Sequence, residues 1–368
     1  MRRLSTLLLL LLCLQASGAP ASEWEVILSG TRKWELLRQD LERATESICL
    51  EYYCFAPDSS GRLIGDLLMR KAEEGVAVQL IMENVIGGLT PRDYYDRMAA
   101  SGVEIRYFTN PRGWPVEINY RDHRKIVVID DHIGYVGGMN LARHYHLDWR
   151  DTHLRFTGPA VADLKQVFYA TWEELDGAMP APQDVEKADG PLEIVSGSPF
   201  YPVFLKKYVQ LLEEARSYVY LQTPYFCPPD ALMDAMKNAA ARGVDVRLVV
   251  PKKTDHPTTT AVNRSFFQEL LEAGIRVYEY LPRFNHSKVA VADDRYFWVG
   301  SVNLDYRSFL LDYEICACIS DPETAIAQKA VYLDLLEESD EVTQKEVAAW
   351  SPWRRFLYGI PRLIKKQL

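Results

Sequence analysis

An α/β fold of two pseudo-symmetric halves, each a largely parallel mixed sheet flanked by helices, is the expectation for this 368-residue chain. Three observations support it. One residue pattern occurs twice at a fixed separation; strand-like apolar runs alternate with helix-period stretches in both halves; and glycines separate helical stretches from β-branched runs. With 48% hydrophobic and 25% charged residues, the chain can bury two ordinary cores.

In chain order, Arg2 and Arg3 precede the apolar run Leu7 to Leu12, and small residues follow it around Ala16 to Ala21. That reads as a secretory signal peptide over 1–21, cleaved near Ala21, because the apolar run is well short of the ~20 residues a spanning helix needs. Residues 26–30 are echoed by 193–197, and a helix-like stretch follows each. Strands are then expected at 48–55 and 218–226, and helices that end at Gly75 and Gly243. Further strands fall at 77–82 and 245–250, and further helices lead to Gly102 and Gly274. Strands alternating with helices imply a largely parallel sheet in each half. The stretch 180–191, rich in Pro, Asp, Glu and Lys, reads as the connector, which divides the chain into 22–189 and 190–341.

The repeated pattern is His-x-Lys-x-x-x-x-Asp: His123, Lys125 and Asp130, then His286, Lys288 and Asp293. Gly137, Gly138 and Asn140 follow the first copy, and Gly300, Ser301 and Asn303 the second. An acid closes each, Asp151 and Glu314. Every second-copy position lies 163 residues after its counterpart (286 − 123, 314 − 151). The run after each Lys is continuously apolar and so reads as a buried strand, with His and Lys on one face. A turn at Asp130 or Asp293 reverses the chain into another strand, which delivers the glycines and the Asn beside the His. Small residues at 137, 138, 300 and 301 suit a close backbone approach to a phosphate.

This residue set fits phosphodiester chemistry, which needs a nucleophile, an acid for the leaving alkoxide, and positive charge around the phosphoryl oxygens. A neutral His can attack phosphorus while a protonated one gives its proton to the leaving alcohol. Lys125 and Lys288, with the amides of Asn140 and Asn303, supply the charge that a metal would otherwise provide, so no cofactor or metal is expected. A carboxylate on one imidazole nitrogen fixes its tautomer. Asp130 and Asp293 are grouped with the catalytic motif and are expected to hold its turn and the Lys. The remaining five cysteines, Cys49, Cys54, Cys227, Cys316 and Cys318, show no disulfide framework.

The paired motif resembles the phospholipase D superfamily, and the flanks at 119–125, 149–153 and 300–309 are similar to bacterial cardiolipin synthases. The resemblance runs from about Trp24 into the C-terminal tail. It implies two phospholipase D-like lobes with one active site at their interface, and two acids that orient the histidines. It also implies a phosphohistidine intermediate, with His123 as nucleophile and His286 as acid and base. The implied reaction converts two phosphatidylglycerols to cardiolipin and glycerol; hydrolysis to phosphatidic acid and nuclease activity are the alternatives. The pair of N-terminal spanning helices found in the long synthases has no counterpart ahead of Trp24.

A net charge of −9 argues against broad binding to a nucleic acid backbone. Phospholipids and an anionic membrane surface are the expected partners. Residues 342–368 carry Lys345, Arg354, Arg355, Arg362, Lys365 and Lys366 against Glu346, interleaved with aromatic and aliphatic residues. That composition suits a basic, membrane-associating tail. With the signal segment, it places the protein at the periplasmic face of the bacterial inner membrane.

Overall fold

The computed structural model describes residues 22–83, 92–108, 119–175, 190–353 and 358. The signal segment, residues 180–189 of the connector, and the tail beyond 353 apart from Tyr358 lie outside them.

The first half contains β1 (Trp24–Ile27), β2 (Ser47–Tyr52), β3 (Ala77–Glu83), β4 (Glu104–Phe108), β5 (Arg121–Asp122), β6 (Lys125–Ile129), β7 (Ile133–Gly137) and β8 (His153–Thr157). Helices α1 (Gly30–Arg43), α2 (Ser59–Glu73), α3 (Asp93–Ala100) and α4 (Ala160–Glu174) join them. The second half repeats the plan with β9 (Leu192–Gly197), β10 (Tyr218–Gln222), β11 (Phe226–Cys227), β12 (Asp245–Pro251), β13 (Arg276–Tyr280), β14 (Val289–Ala292), β15 (Tyr296–Gly300), β16 (Leu304–Asp305), β17 (Asp312–Ile319) and β18 (Ser339–Glu341). Its helices are α5 (Val203–Glu214), α6 (Asp230–Ala241), α7 (Pro257–Ser265), α8 (Phe267–Glu272), α9 (Tyr306–Leu310), α10 (Pro322–Glu337) and α11 (Gln344–Ala348).

The mixed α/β architecture is as expected, but the sheets are less parallel than the alternation of elements implies. In the order β1-β8-β7-β6-β2-β3-β4, only the neighbours β2–β3 and β3–β4 pair in parallel. Likewise β10, β12 and β13 are parallel, while β14, β15, β17 and β9 continue the second sheet antiparallel. The cause is turn length. Helical crossovers leave room for parallel pairing, whereas the three-residue connections after β6 and β14 force hairpins. Asp130 and Asp131 have φ of 48° and 57°, Asp293 and Asp294 φ of 53° and 52°. Two successive left-handed residues make the turn twist with the strands, and Asp tolerates that conformation better than most residues.

Each central strand is buried on both faces, as its apolar run requires. Val127 and Ile129 of β6 pack outward on Leu37 and Leu41 of α1 and Leu68 of α2. Ile126 and Val128 point the other way, into a cluster shared with Tyr220, Val291 and Ile315 of the second sheet, Phe168 of α4 and Tyr332 of α10. The halves therefore share a central core between their sheets. Full burial of one such side chain contributes roughly 1.5–3 kcal/mol, so neither sheet face is stable when uncovered.

Two features cross the sequence-drawn divisions. β5, from the first half, pairs with β17 of the second sheet. Beyond Glu341 the tail begins as part of the body: Val342 and Val347 are buried in the second core, and Thr343 and Glu346 form a capping box on α11. Trp350 packs on the Phe267 and Tyr358 rings.

Candidate active site

Both histidines sit on short stretches just ahead of the central hairpins, and each stretch is stitched to the opposite half. The His123 backbone N–H donates to the Tyr313 carbonyl at 2.9 Å; that of His286 donates to the Arg150 carbonyl at 2.7 Å. Tyr313 and Arg150 each precede one of the two acids. His123 Nδ1 accordingly lies 3.0 Å from Glu314 Oε1, and His286 Nδ1 lies 2.7 Å from Asp151 Oδ2. The pairing is crossed: each imidazole is held by the other half's carboxylate. A carboxylate on Nδ1 puts the proton there and leaves Nε2 as the basic nitrogen.

One cavity of about 450 Å³ is lined by His123, His286 and Asn303, with Tyr53, Tyr145, Tyr225 and Phe226 among its walls. Both rings face this cavity. Burial, then Lys125 and Lys288, holds His123 well below the usual imidazole range, with Asp312 opposing. Burial, Lys288 and Lys125 do the same to His286. Near neutral pH both rings are therefore held in their neutral form. An entering phosphate brings the negative charge that allows one of them to take a proton.

The lysines lie behind the rings and are buried. Lys125 Nζ donates to the His123 carbonyl, and Lys288 Nζ donates to the His286 carbonyl at 2.6 Å while lying 2.8 and 2.9 Å from the two ring nitrogens. Burial lowers Lys125 to about 8 and Lys288 to about 7. Burial likewise raises Asp151 and Glu314 to about 7, with Lys288 opposing at Asp151 and Lys125 at Glu314. Asn140 accepts the Cys54 N–H at 3.1 Å through Oδ1, and its Nδ2 is buried without a hydrogen-bond partner, as is Asn303 Oδ1.

Asp130 and Asp293 do not belong with the catalytic set. They lie five residues beyond each Lys, about 16 Å along an extended strand, and they bind neither Lys nor His. The Asp130 carboxylate accepts the backbone N–H groups of Thr45, Glu46 and Ser47 at 2.8, 2.8 and 2.9 Å. Asp293 accepts those of Arg216, Ser217 and Tyr218 at 2.7, 2.8 and 2.9 Å. They tie the turn to the start of β2 or β10. Burial pushes Asp130 up, but the three donors leave it below the usual carboxylate range.

The glycines serve packing against the acids more than close approach to a phosphate. A Cβ on Gly138 would lie 2.3 Å from Asp151 Oδ1, and one on Gly300 2.2 Å from the Ile315 carbonyl. Ser301 replaces the second small residue and donates its hydroxyl to Glu314. Arg307 lines the cavity but is held by Asp312 at 2.8 Å and by Asn119. Of the aromatics, Tyr53 meets the His123 ring edge-on at 4.9 Å and Phe284 lies 5.7 Å from His286.

Some site residues escaped the sequence reading. Trp149 and Tyr145 pack on His286, and Asp305 and Asp312 line the cavity. Lys33 is buried beneath the Gly137–Asn140 corner; the one available signal was its place beside Leu36, Leu37 and Asp40 on the buried face of α1.

Comparison with known proteins agrees with this geometry. The family model described as "Cardiolipin synthase, PLD-like domain" matches residues 37–172 and 208–333, one segment in each half. Cardiolipin synthase 2 of Bacillus anthracis is 35% identical over 87% of this chain, which spans 66% of that relative's length. A cardiolipin synthase of Staphylococcus aureus is 34% identical over 93% of the chain and 73% of its own length. Among solved structures, phosphatidylserine synthase of Haemophilus influenzae Rd KW20 superposes with a TM-score of 0.68 at 16% identity, covering 94% of this chain and 95% of that one. A duplicated motif, one shared cavity and these relatives agree, and the chain belongs to the cardiolipin synthase family of PLD-like domain proteins.

Proposed function

We propose that the protein is a phosphatidyltransferase of the cardiolipin synthase type, converting two phosphatidylglycerols to cardiolipin and glycerol. One observation carries the reading: two imidazoles, each held by a carboxylate from the opposite half, line a single cavity. His123 Nε2 attacks phosphorus, forming a P–N bond as the P–O bond to glycerol breaks, and His286 gives its proton to the leaving glycerol oxygen. His286 then takes the proton of a second phosphatidylglycerol's hydroxyl. That oxygen bonds phosphorus, and the P–N bond breaks. Lys125, Lys288, Asn140 and Asn303 stabilise the phosphoryl oxygens. Water competing at the second step gives phosphatidic acid.

The same reading takes 22–189 and 190–341 as the two catalytic lobes and the exported chain as bound to the periplasmic face of the inner membrane. Amino-terminal sequencing of exported protein tests the cleavage near Ala21. Among the described residues no helix is long and apolar enough to cross a membrane. The tail supports peripheral contact, because each Lys or Arg near an anionic surface contributes about 1 kcal/mol. Full-length protein incubated with radiolabelled phosphatidylglycerol vesicles is expected to yield labelled cardiolipin. Phosphatidic acid alone would make it a hydrolase, and oligonucleotide cleavage without lipid turnover would make it a nuclease.

A further inference from the structure

The two carboxylates that grip the imidazoles are backed by different chemistry. Glu314 receives the Ser301 hydroxyl on its second oxygen. At the matching place behind Asp151 stands Gly138, where even a Cβ would lie 2.3 Å from Oδ1. No hydroxyl fits there. The first half instead brings Lys33 beneath the same corner. Its Nζ donates to the carbonyl of Met139, between Gly138 and Asn140, at 2.8 Å, and Tyr52 Oη lies at 3.2 Å. The side chain is fully buried between Trp34 and Tyr52, 5.1 and 5.0 Å from their ring centroids. A cation buried this far requires an opposite charge nearby.

We propose that Lys33 is a positioning residue of the transfer reaction: by pinning the Met139 carbonyl beside Gly138, on which Asp151 packs, and countering the charge of Asp151, it holds that carboxylate against His286. This rests on the reading of His286 as the acid and base. The groups acting on Asp151 are Lys288, Lys125 and Lys33, with the Thr152 N–H at 2.7 Å and the His286 ring. Burial holds Lys33 well below the usual lysine range, with Asp151 opposing and Lys125 adding to it, and His153 feels Lys33 in turn. Burial pushes Asp151 up to about 7, and Lys33 works against that. Removing its charge raises the carboxyl further. The working, ionised form then appears only at higher pH.

The test uses full-length Lys33→Met, which lacks both charge and donor, and Lys33→Gln, which keeps a donor. Hydrolysis of bis(p-nitrophenyl) phosphate and transfer from phosphatidylglycerol are followed across pH, together with the carboxyl resonance of Asp151 in protein carrying ¹³C-labelled aspartate. Both variants are expected to lose about 10- to 100-fold in kcat with little change in KM. The acid limb and the Asp151 titration should both move up by about one pH unit. Wild-type kcat and acid limb in Lys33→Gln would overturn the proposal by showing that only the donor matters, as would an unmoved Asp151 resonance in either variant. If wild-type protein cleaves the diester but makes no cardiolipin, the transferase reading fails while Lys33 is still judged on the diester and the resonance.

Discussion

Behind His123 the protein buries Glu51, Asp122 and Arg124; the equivalent places behind His286 hold Gln222, Asn285 and Ser287. The local bonds match. Asp122 Oδ1 accepts the Arg124 N–H at 3.1 Å, and Asn285 Oδ1 accepts the Ser287 N–H at 3.2 Å. In the first half Arg124 Nε lies 3.3 Å from Glu51 and 3.6 Å from Asp122, and Nη1 donates to Thr171 at 3.0 Å. In the second, neutral groups make the same connection, with Asn285 Nδ2 3.3 Å from Gln222 Oε1. The backbone that presents a catalytic His thus needs an acceptor one residue before it and a partner on the neighbouring strand. It does not need charge, and the ionic version is a choice of the first half with its own liabilities.

The comparison breaks most sharply at the histidines. Replacing either His123 or His286 by Ala is expected to cost about 10³-fold or more in kcat. The trapped species should differ: mass spectrometry of His286→Ala is expected to find the phosphatidyl group on His123, and His123→Ala to carry none. Label on His286 in the second variant would reverse the assigned roles.

Next in size is the ionic cluster. Arg124→Ser alone strands two buried carboxyls and is expected to cost about 3–5 kcal/mol in denaturant unfolding. The triple change Glu51→Gln, Asp122→Asn, Arg124→Ser copies the second half and should recover most of that loss. Burial raises both carboxyls, with Arg124 opposing. Groups raised on folding add stability that is full below their unfolded pKa of about 4 and is lost as pH rises through the folded value. The triple variant should therefore lose less stability than wild type as pH rises. An unchanged pH slope would mean the cluster is not a titrating unit.

Asp130→Ala and Asp293→Ala give the smallest effect and sharpen the likeness instead. Each frees three backbone N–H groups, and a loss of about 1–3 kcal/mol is expected, similar in the two halves, with kcat within about 2-fold of wild type well below the melting temperature. A collapse of kcat in folded protein would return these residues to the chemistry.

Much of this was legible in the sequence because it is local. The constant spacing put His, Lys, Asn and acid on equivalent elements, and Gly75, Gly102, Gly243 and Gly274 end their helices with φ of 92°, 97°, 87° and 81° as a glycine there suggests. What stayed hidden depends on distance along the chain. His123 and Glu314 are 191 residues apart, His286 and Asp151 135, and no periodicity reports which copy's acid meets which ring. Lys33 reads as one more helix-face residue until Asp151 is brought to it. The reversals at Asp130 and Asp293 were legible, but the further antiparallel pairings of β8 with β1 and of β17 with β9 were not, because those strands lie far apart along the chain.

The reciprocal stitching of each motif to the strand of the other half has a developmental consequence for the molecule. A nascent chain with only its first half folded has a His123 ring with no Glu314 to align it, and an Asp151 with nothing to grip. On the proposed reading, turnover of phosphodiesters therefore waits for β17, the last long strand to be made.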